Sequence, residues 1–147
     1  MLTGLFNRNR YMEDLSGWEK GTLREIGGFY MDLNGLKHCN DRFGHEAGDA
    51  LIRRTADALN EVFPGEGYRI GGDEFVVFPE SADPTVCEAR MQVGCASLAP
   101  QGYSISYGLA AQETTEGLRD LVREADEKML EQKRTYYTSI HSHRDPR

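Results

Sequence analysis

Apolar positions recur at helical spacing over residues 45–63, where Leu51, Ile52, Thr55, Ala56, Leu59, Val62 and Phe63 share one face and Pro64-Gly65 ends the run. A second stripe, Leu118, Leu121, Val122, Ala125 and Met129, predicts a closing helix over about 117–136. Residues 84–98 suit a helix with Val86, Ala89, Met91, Val93 and Leu98 as apolar positions, although Gly94 interrupts it. Residues 7–18 read as a short helix ending near Gly17, and 33–43 as a short helix and turn. Period-two or short apolar runs predict strands at 25–32, 67–70, 75–79 and 103–111, the last with Ile105, Tyr107 and Leu109 alternating. The second and third are separated by Gly71-Gly72-Asp73-Glu74, which predicts a hairpin. The polar tail, 139–147, reads as frayed.

This order, with a hairpin and long helical returns, predicts an α+β domain whose central sheet is mainly antiparallel, of about five strands, flanked by helices. At 147 residues the whole chain, 1–147, suits one domain able to bury a core without disulfides or structural metal. Cys39, Cys87 and Cys95 match no zinc spacing, and Cys87 and Cys95 fall in a predicted helix as packing residues. The net charge of -7 leaves no basic face for a nucleic-acid backbone and argues against an anionic membrane surface. No stretch approaches the roughly 18 apolar residues of a membrane span, and no secretory leader precedes the first motif, so the expected location is cytoplasmic.

An acidic protein can still bind phosphate through a divalent cation. Asp32 ends a predicted strand, and Asp73 and Glu74 sit at the hairpin tip. If those strands are neighbours, Asp32 and Asp73 converge at one sheet edge. Clustered carboxylates repel, a divalent cation relieves the repulsion, and Gly71-Gly72 lets a phosphate approach the backbone. Alone, the Gly-Gly-Asp-Glu segment reads better as a solvated acidic turn. Asn40 and Asp49 alone read as helix caps, and His45 reads as a structural turn residue.

Five blocks in order change that balance. Arg69-Ile70-Gly71-Gly72-Asp73-Glu74-Phe75 resembles the signature of the GGDEF, or diguanylate cyclase, family. Asp32-Leu33-Asn34-Gly35-Leu36-Lys37-His38-Cys39-Asn40-Asp41 resembles its D-x-(D/N)-x-x-K-x-x-N-D element, and Gly44-His45-Glu46-Ala47-Gly48-Asp49 its G-H-x-x-G-D. Leu2-Thr3-Gly4-Leu5-Phe6-Asn7-Arg8 resembles the family's opening L-T-G-L-x-N-R, and Ala125-Asp126 with Lys133 its closing block. The resemblance covers nearly the whole chain.

The resemblance implies a palm-like nucleotidyl-cyclase fold and condensation of two GTP molecules into cyclic di-GMP. Asp32, Asp73 and the Leu33 backbone carbonyl would hold two Mg²⁺ or Mn²⁺ ions per half-site. Asn40 and Asp49 would read guanine, whose two adjacent N–H donors suit a carboxylate. Lys37 and Lys133 would hold phosphates beside Gly71 and Gly72, and Arg69 and Glu74 would support catalysis. Each domain would hold one GTP, so catalysis needs a homodimer. The family's leading aspartate would precede Met1, which implies a domain cut from a longer bacterial protein with an upstream sensor or dimerising segment. The alternative is a weak or inactive domain serving as a GTP-binding or interaction module; a third reading, relaxed base choice giving cyclic GMP-AMP, is opposed by Asp49.

Three departures stand out. Asn34 replaces a frequent aspartate, Leu130 a frequent tyrosine, and Tyr136-Tyr137 a frequent Gly-Arg that would contact phosphate, for which Arg134 is a candidate substitute. Val62 and Gly65 occupy the positions of the family's inhibitory R-x-x-D. Neither offers a charge-assisted bond, so no product inhibition through that primary site is expected; activity falling sharply with added cyclic di-GMP would contradict this.

Overall fold

The computed structural model describes residues 3–20 and 25–143, with side chains through residue 139. The elements run α1 (Arg8–Glu19), β1 (Ile26–Leu33), α2 (Leu36–Phe43), α3 (His45–Val62), β2 (Gly67–Arg69), β3 (Glu74–Val77), α4 (Pro84–Leu98), β4 (Ile105–Gln112) and α5 (Leu118–His143). The four strands form one antiparallel sheet in the order β2-β3-β1-β4. The predicted α+β class, the antiparallel sheet and the β2–β3 hairpin are all present.

The sheet has four strands among the described residues rather than about five. The opening segment reaches β2, with Phe6 N–H donating to the Gly67 carbonyl at 3.1 Å and Arg69 N–H to the Phe6 carbonyl at 2.8 Å. Among the described residues it makes a single parallel bridge, Phe6 to Tyr68. Asn7 then turns the chain, its side chain accepting from Arg10 N–H at the start of α1. Leu2 lies outside the described residues.

Strand alternation sorts the core into two layers. Phe29, Met31 and Leu33 of β1, with Phe75, Val77, Ile105 and Tyr107, pack against Leu51, Ile52, Ala56 and Leu59 of α3 and Cys87, Met91 and Leu98 of α4. On the opposite face Ile26, Tyr68, Val76, Phe78 and Ala110 meet Tyr11 and Leu15 of α1 and Leu118, Leu121 and Ala125 of α5. Tyr30 and Asp32 share the parity of Ile26 and so belong to the α5 side.

Two expectations about helices need correction. In α4 the buried positions are Cys87, Met91, Gly94 and Leu98, while Val86 and Val93 are exposed. Gly94 causes this: a Cβ there would stand 3.2 Å from Val62 Cγ2, so the glycine is where α4 meets α3. The closing helix also runs past residue 136, to His143; residues 144–147 of the expected tail lie outside the described residues. No helix among the described residues is long and apolar enough to cross a membrane.

Candidate active site

The end of β1 and the tip of the β2–β3 hairpin meet because β1 pairs with β3, placing Asp32 opposite Glu74. Leu33 N–H donates to the Asp73 carbonyl at 2.9 Å. Asp32 and Asp73 therefore converge, as the sequence predicted for neighbouring strands. Burial, then the adjacent Asp73 carboxyl, push the Asp32 carboxyl up to about 7, against the opposing pull of Lys133. Asp32 Oδ1 is buried and, among the described residues, without a hydrogen-bond partner. A proton shared with Asp73 would satisfy it, and so would a cation.

α5 supplies that cation's charge in the protein itself. Lys133 Nζ lies 3.0 Å from Asp32 Oδ2 and donates to the Leu33 carbonyl at 3.1 Å. Lys133 thus touches the very oxygens expected to hold metal. Both side chains are largely buried, which strengthens their attraction relative to a surface pair.

The hairpin turn is braced from two sides. Arg69 donates to the Gly72 carbonyl at 3.0 Å, and Arg8 to the Ile70 carbonyl at 2.9 Å. Glu74 accepts from the Tyr30 phenol at 2.7 Å. Burial and that carboxylate raise the Tyr30 phenol, so it remains a donor. Burial, then the Glu74 charge, also raise Asp126. A Cβ on Gly71 would fall 2.6 Å from Glu74 Oε1, so a side chain there would make the Glu74 carboxylate turn aside. A Cβ on Gly72 would meet nothing within 4 Å, so its backbone faces open space.

On the other side of Asp32 the loop is fastened to β4. Asn34 N–H donates to the Ser104 carbonyl at 3.0 Å, its Nδ2 donates to Ser104 Oγ at 3.0 Å, and its Oδ1 accepts from Ser106 Oγ at 2.8 Å. Gly35 then begins α2 in a left-handed conformation (φ 78°) with no side-chain cap.

Asn40 and Asp49 lie in α2 and α3, and no side chain caps either helix start. The capping account of both residues therefore fails. Asn40 Oδ1 is buried and, among the described residues, has no hydrogen-bond partner. It lies against Gly48, where a Cβ would fall 1.7 Å away. Lys37 and Asp49 are exposed. Arg134 lines a hollow with Glu131, Thr135, Thr138 and Ser139, none of them a predicted site residue. Val62 packs on the core and Gly65 sits in a turn at φ 73°. Sequence reasoning missed Tyr30, Ser104, Ser106 and the close contact at Gly48. None carries a charge pattern, and each matters only through contacts distant in the chain or across helices.

A family model described as diguanylate cyclase, GGDEF domain, matches residues 1–138. The chain belongs to the GGDEF domain family. This GGDEF domain is 29% identical over 142 residues to diguanylate cyclase DgcS of Shewanella oneidensis, covering 90% of this chain and 48% of that protein. It is 29% identical over 138 residues to the probable diguanylate cyclase DgcJ of Escherichia coli, covering 87% of this chain and 28% of that protein. The chain thus spans about half or less of these two relatives. The FimX GGDEF domain of Pseudomonas aeruginosa shares the fold, with a TM-score of 0.80 at 21% identity, covering 91% of this chain and 92% of that one. So does the GGDEF domain of DgcB from Caulobacter crescentus, solved in complex with c-di-GMP, with a TM-score of 0.78 at 24% identity over 92% of this chain and 89% of that one.

The donor set fits a hard divalent cation. Two carboxylates and a backbone carbonyl converge, one carboxylate oxygen is buried without a partner among the described residues, and a single ammonium offsets only part of their charge. No cluster of three or more His, Cys, Asp or Glu side chains occurs among the described residues. Mg²⁺ commonly takes only one or two protein carboxylates when phosphates and water complete its shell.

Proposed function

We propose that this GGDEF domain is a diguanylate cyclase acting on GTP across a pair of domains. The observation that carries the reading is the convergence of Asp32, Asp73, the Leu33 carbonyl and Lys133 beside the open Gly72 backbone. Asp32, Asp73 and the Leu33 carbonyl would hold Mg²⁺ or Mn²⁺, which when bound polarises the α-phosphate and acidifies the attacking 3′-hydroxyl. Asn40 and Asp49 select guanine. Lys37 and Lys133 hold phosphates, Lys133 exchanging the Asp32 carboxylate and Leu33 carbonyl for phosphate oxygen. Arg69 and Glu74 act as positioning residues, fixing the turn through the Gly72 carbonyl and the Tyr30 phenol.

In the reaction the 3′-oxygen of one GTP forms a bond to the α-phosphorus of the other, and the α–β phosphoanhydride bond breaks. The hydroxyl proton passes to solvent and pyrophosphate leaves. The same exchange in the opposite sense closes the ring. One domain binds one GTP, so two domains must face each other in a C₂ arrangement. The domain incubated with GTP and Mg²⁺ or Mn²⁺ at low and high protein concentration, with nucleotides separated by chromatography, is expected to give cyclic di-GMP rising faster than linearly with protein. A version fused to a dimerising coiled coil that yields no product would refute the cyclase reading. The second reading, GTP binding without turnover, draws support from Lys133 seated on the metal-ligand oxygens.

Gly48 gives a separate check on the guanine pocket. In Gly48→Ala the added Cβ takes the place of Asn40 Oδ1, so the carboxamide must rotate away. Alanine suits a helix better than glycine by roughly 1 kcal/mol. Guanine nucleotide affinity is therefore expected to fall roughly tenfold while thermal stability is kept. Titration with a fluorescent GTP analogue and a melting curve check both halves.

A further inference from the structure

We propose that the free edge of β4 is a docking site for an extended peptide segment, which adds to the sheet as a strand and carries basic residues on the side facing α5. The inference goes beyond the nucleotide site and does not rest on it.

β4 ends the sheet order β2-β3-β1-β4, so among the described residues only one of its edges is paired. In a strand the N–H and C=O of one residue point to the same edge, and successive residues alternate between edges. Tyr107 N–H donates to Gln132 Oε1 at 2.9 Å, and the Leu109 carbonyl accepts from Lys128 Nζ at 3.0 Å. Tyr107 and Leu109 therefore face away from β1, while Ser106 and Gly108 face it, opposite Asp32 and Tyr30. An amide oxygen and an ammonium from α5 thus stand where a neighbouring strand would place a carbonyl and an N–H. Both belong to long, exposed side chains that can swing aside.

The edge is not closed over. It forms the floor of a groove of about 800 Å³ between Glu88, Ala89 and Gln92 of α4 and Lys128 and Gln132 of α5. Side chains laid over an edge can protect it from aggregation, but protection needs no open groove beside them. A strand added here would lie about 4.8 Å from β4, between the two helices, with its side chains pointing alternately to either wall. On the α4 side they meet Ala89 and the partly buried Leu109, which suit small β-branched residues. On the α5 side they meet acid. From 124 to 132 the helix exposes Glu124, Glu127 and Glu131 against Lys128 alone, and Lys128 already pairs with Glu124 at 3.3 Å. Glu88 adds a carboxylate whose partners are the neutral Tyr107 phenol and Gln92 amide. The one cation of α4, Arg90, lies over the Phe63 ring in the α3 layer. Charge therefore selects a basic segment. A second copy of the domain would bring two acidic walls together, which disfavours it as the occupant.

The probe is a fluorescently labelled peptide of about eight residues, the length of β4, alternating valine with lysine. One control replaces lysine with glutamate; another keeps lysine but carries N-methyl groups on alternate backbone nitrogens. By fluorescence anisotropy the lysine peptide is expected to bind the domain about tenfold tighter than the glutamate peptide at low salt, with the gap narrowing as salt rises. N-methylation is expected to weaken it by about tenfold or more, because the strand bonds are lost. Gln132→Ala and Lys128→Ala, which uncover the edge, are each expected to tighten binding about fivefold, the worth of one hydrogen bond that the peptide no longer displaces. Hydrogen exchange should slow at the Tyr107 and Leu109 amides on binding and change little at Ser106 and Gly108, already turned to β1. Melting curves confirm that the variants fold. No binding even to the uncovered variants would reduce Gln132 and Lys128 to edge protection and overturn the proposal. Equal binding of the N-methylated peptide would mean attraction by charge alone, and equal or tighter binding of the glutamate peptide would remove the basis for a basic partner; either overturns it. An uncovered variant that dimerises through β4, seen by light scattering with slowed Leu109 exchange, would make a second copy the occupant and overturn it as well.

Discussion

Replacing Asp32 with asparagine is expected to lower cyclic di-GMP formation by roughly a thousandfold or more, the scale on which loss of a central electrostatic group acts, while the fold survives. The carboxylate sits in a costly place. It is largely buried, faces Asp73, and keeps one oxygen without a partner. Its folded pKa of about 7 exceeds the ordinary 3.8, so the folded protein keeps a proton that the unfolded chain has lost across that window. Stability from this group is complete below about pH 4, declines as pH rises, and levels off above about 7. Asp32→Asn removes the titration, so its melting temperature is expected to vary less than wild type's between pH 5 and 8. Cation binding needs the ionised pair, so Mn²⁺ affinity of the wild-type domain should climb through the same window and flatten above about pH 7. Calorimetric titration at several pH values checks this directly. Affinity flat across pH 5–8, or an active Asp32→Asn domain, would remove Asp32 from the metal site.

The sequence made much of this site legible because its chemistry is written in charged residues at element ends. Asp32 stops an apolar run, and Asp73 lies between a glycine pair and the next apolar run, so strand pairing alone brings them together. The helix stripes of α3 and α5 were equally plain, because apolar spacing encodes which face is buried. What escaped depends on distances that spacing does not encode. Val86 and Val93 match a helical stripe as well as Cys87 and Met91 do, and only the close approach at Gly94 decides which face meets α3. Asn34 looked like a neutral exchange for aspartate. Its amide both donates to Ser104 and accepts from Ser106, residues seventy or more positions away. Lys133 read as a phosphate ligand, and its contact with Asp32 across 101 positions needed the helix docked. The four strands are the four segments the apolar runs named, and the opening segment adds only the Phe6 bridge before Asn7 starts a helix.

Gly108 is where that docking is decided. It lies in β4 opposite Tyr30 of β1, and α5 passes directly over it. A Cβ at position 108 would fall 2.1 Å from the Ala125 carbonyl oxygen, 2.6 Å from Lys128 Cβ and 2.6 Å from the Met129 nitrogen. These are mostly backbone atoms of a regular helix, so relief requires moving the helix. Gly28 offers the contrast: its Cβ would lie 2.7 Å from Leu121 Cδ2, the far end of a side chain that can turn aside. Gly108→Ala is therefore expected to cost about 3 kcal/mol, at the upper end of ordinary overpacking, and to lower the melting temperature by roughly 6–12 °C. Gly28→Ala is expected to cost about 1 kcal/mol. The lift also reaches the site. Lys133 stands about one turn beyond Met129, so a helix raised at 125–129 draws its ammonium away from Asp32 and the Leu33 carbonyl. Gly108→Ala should thus lose activity at temperatures where it remains folded, whereas Gly28→Ala should not. A Gly108→Ala protein as stable and as active as wild type would show that α5 has slack over the sheet, and would end the claim that this contact sets the position of Lys133.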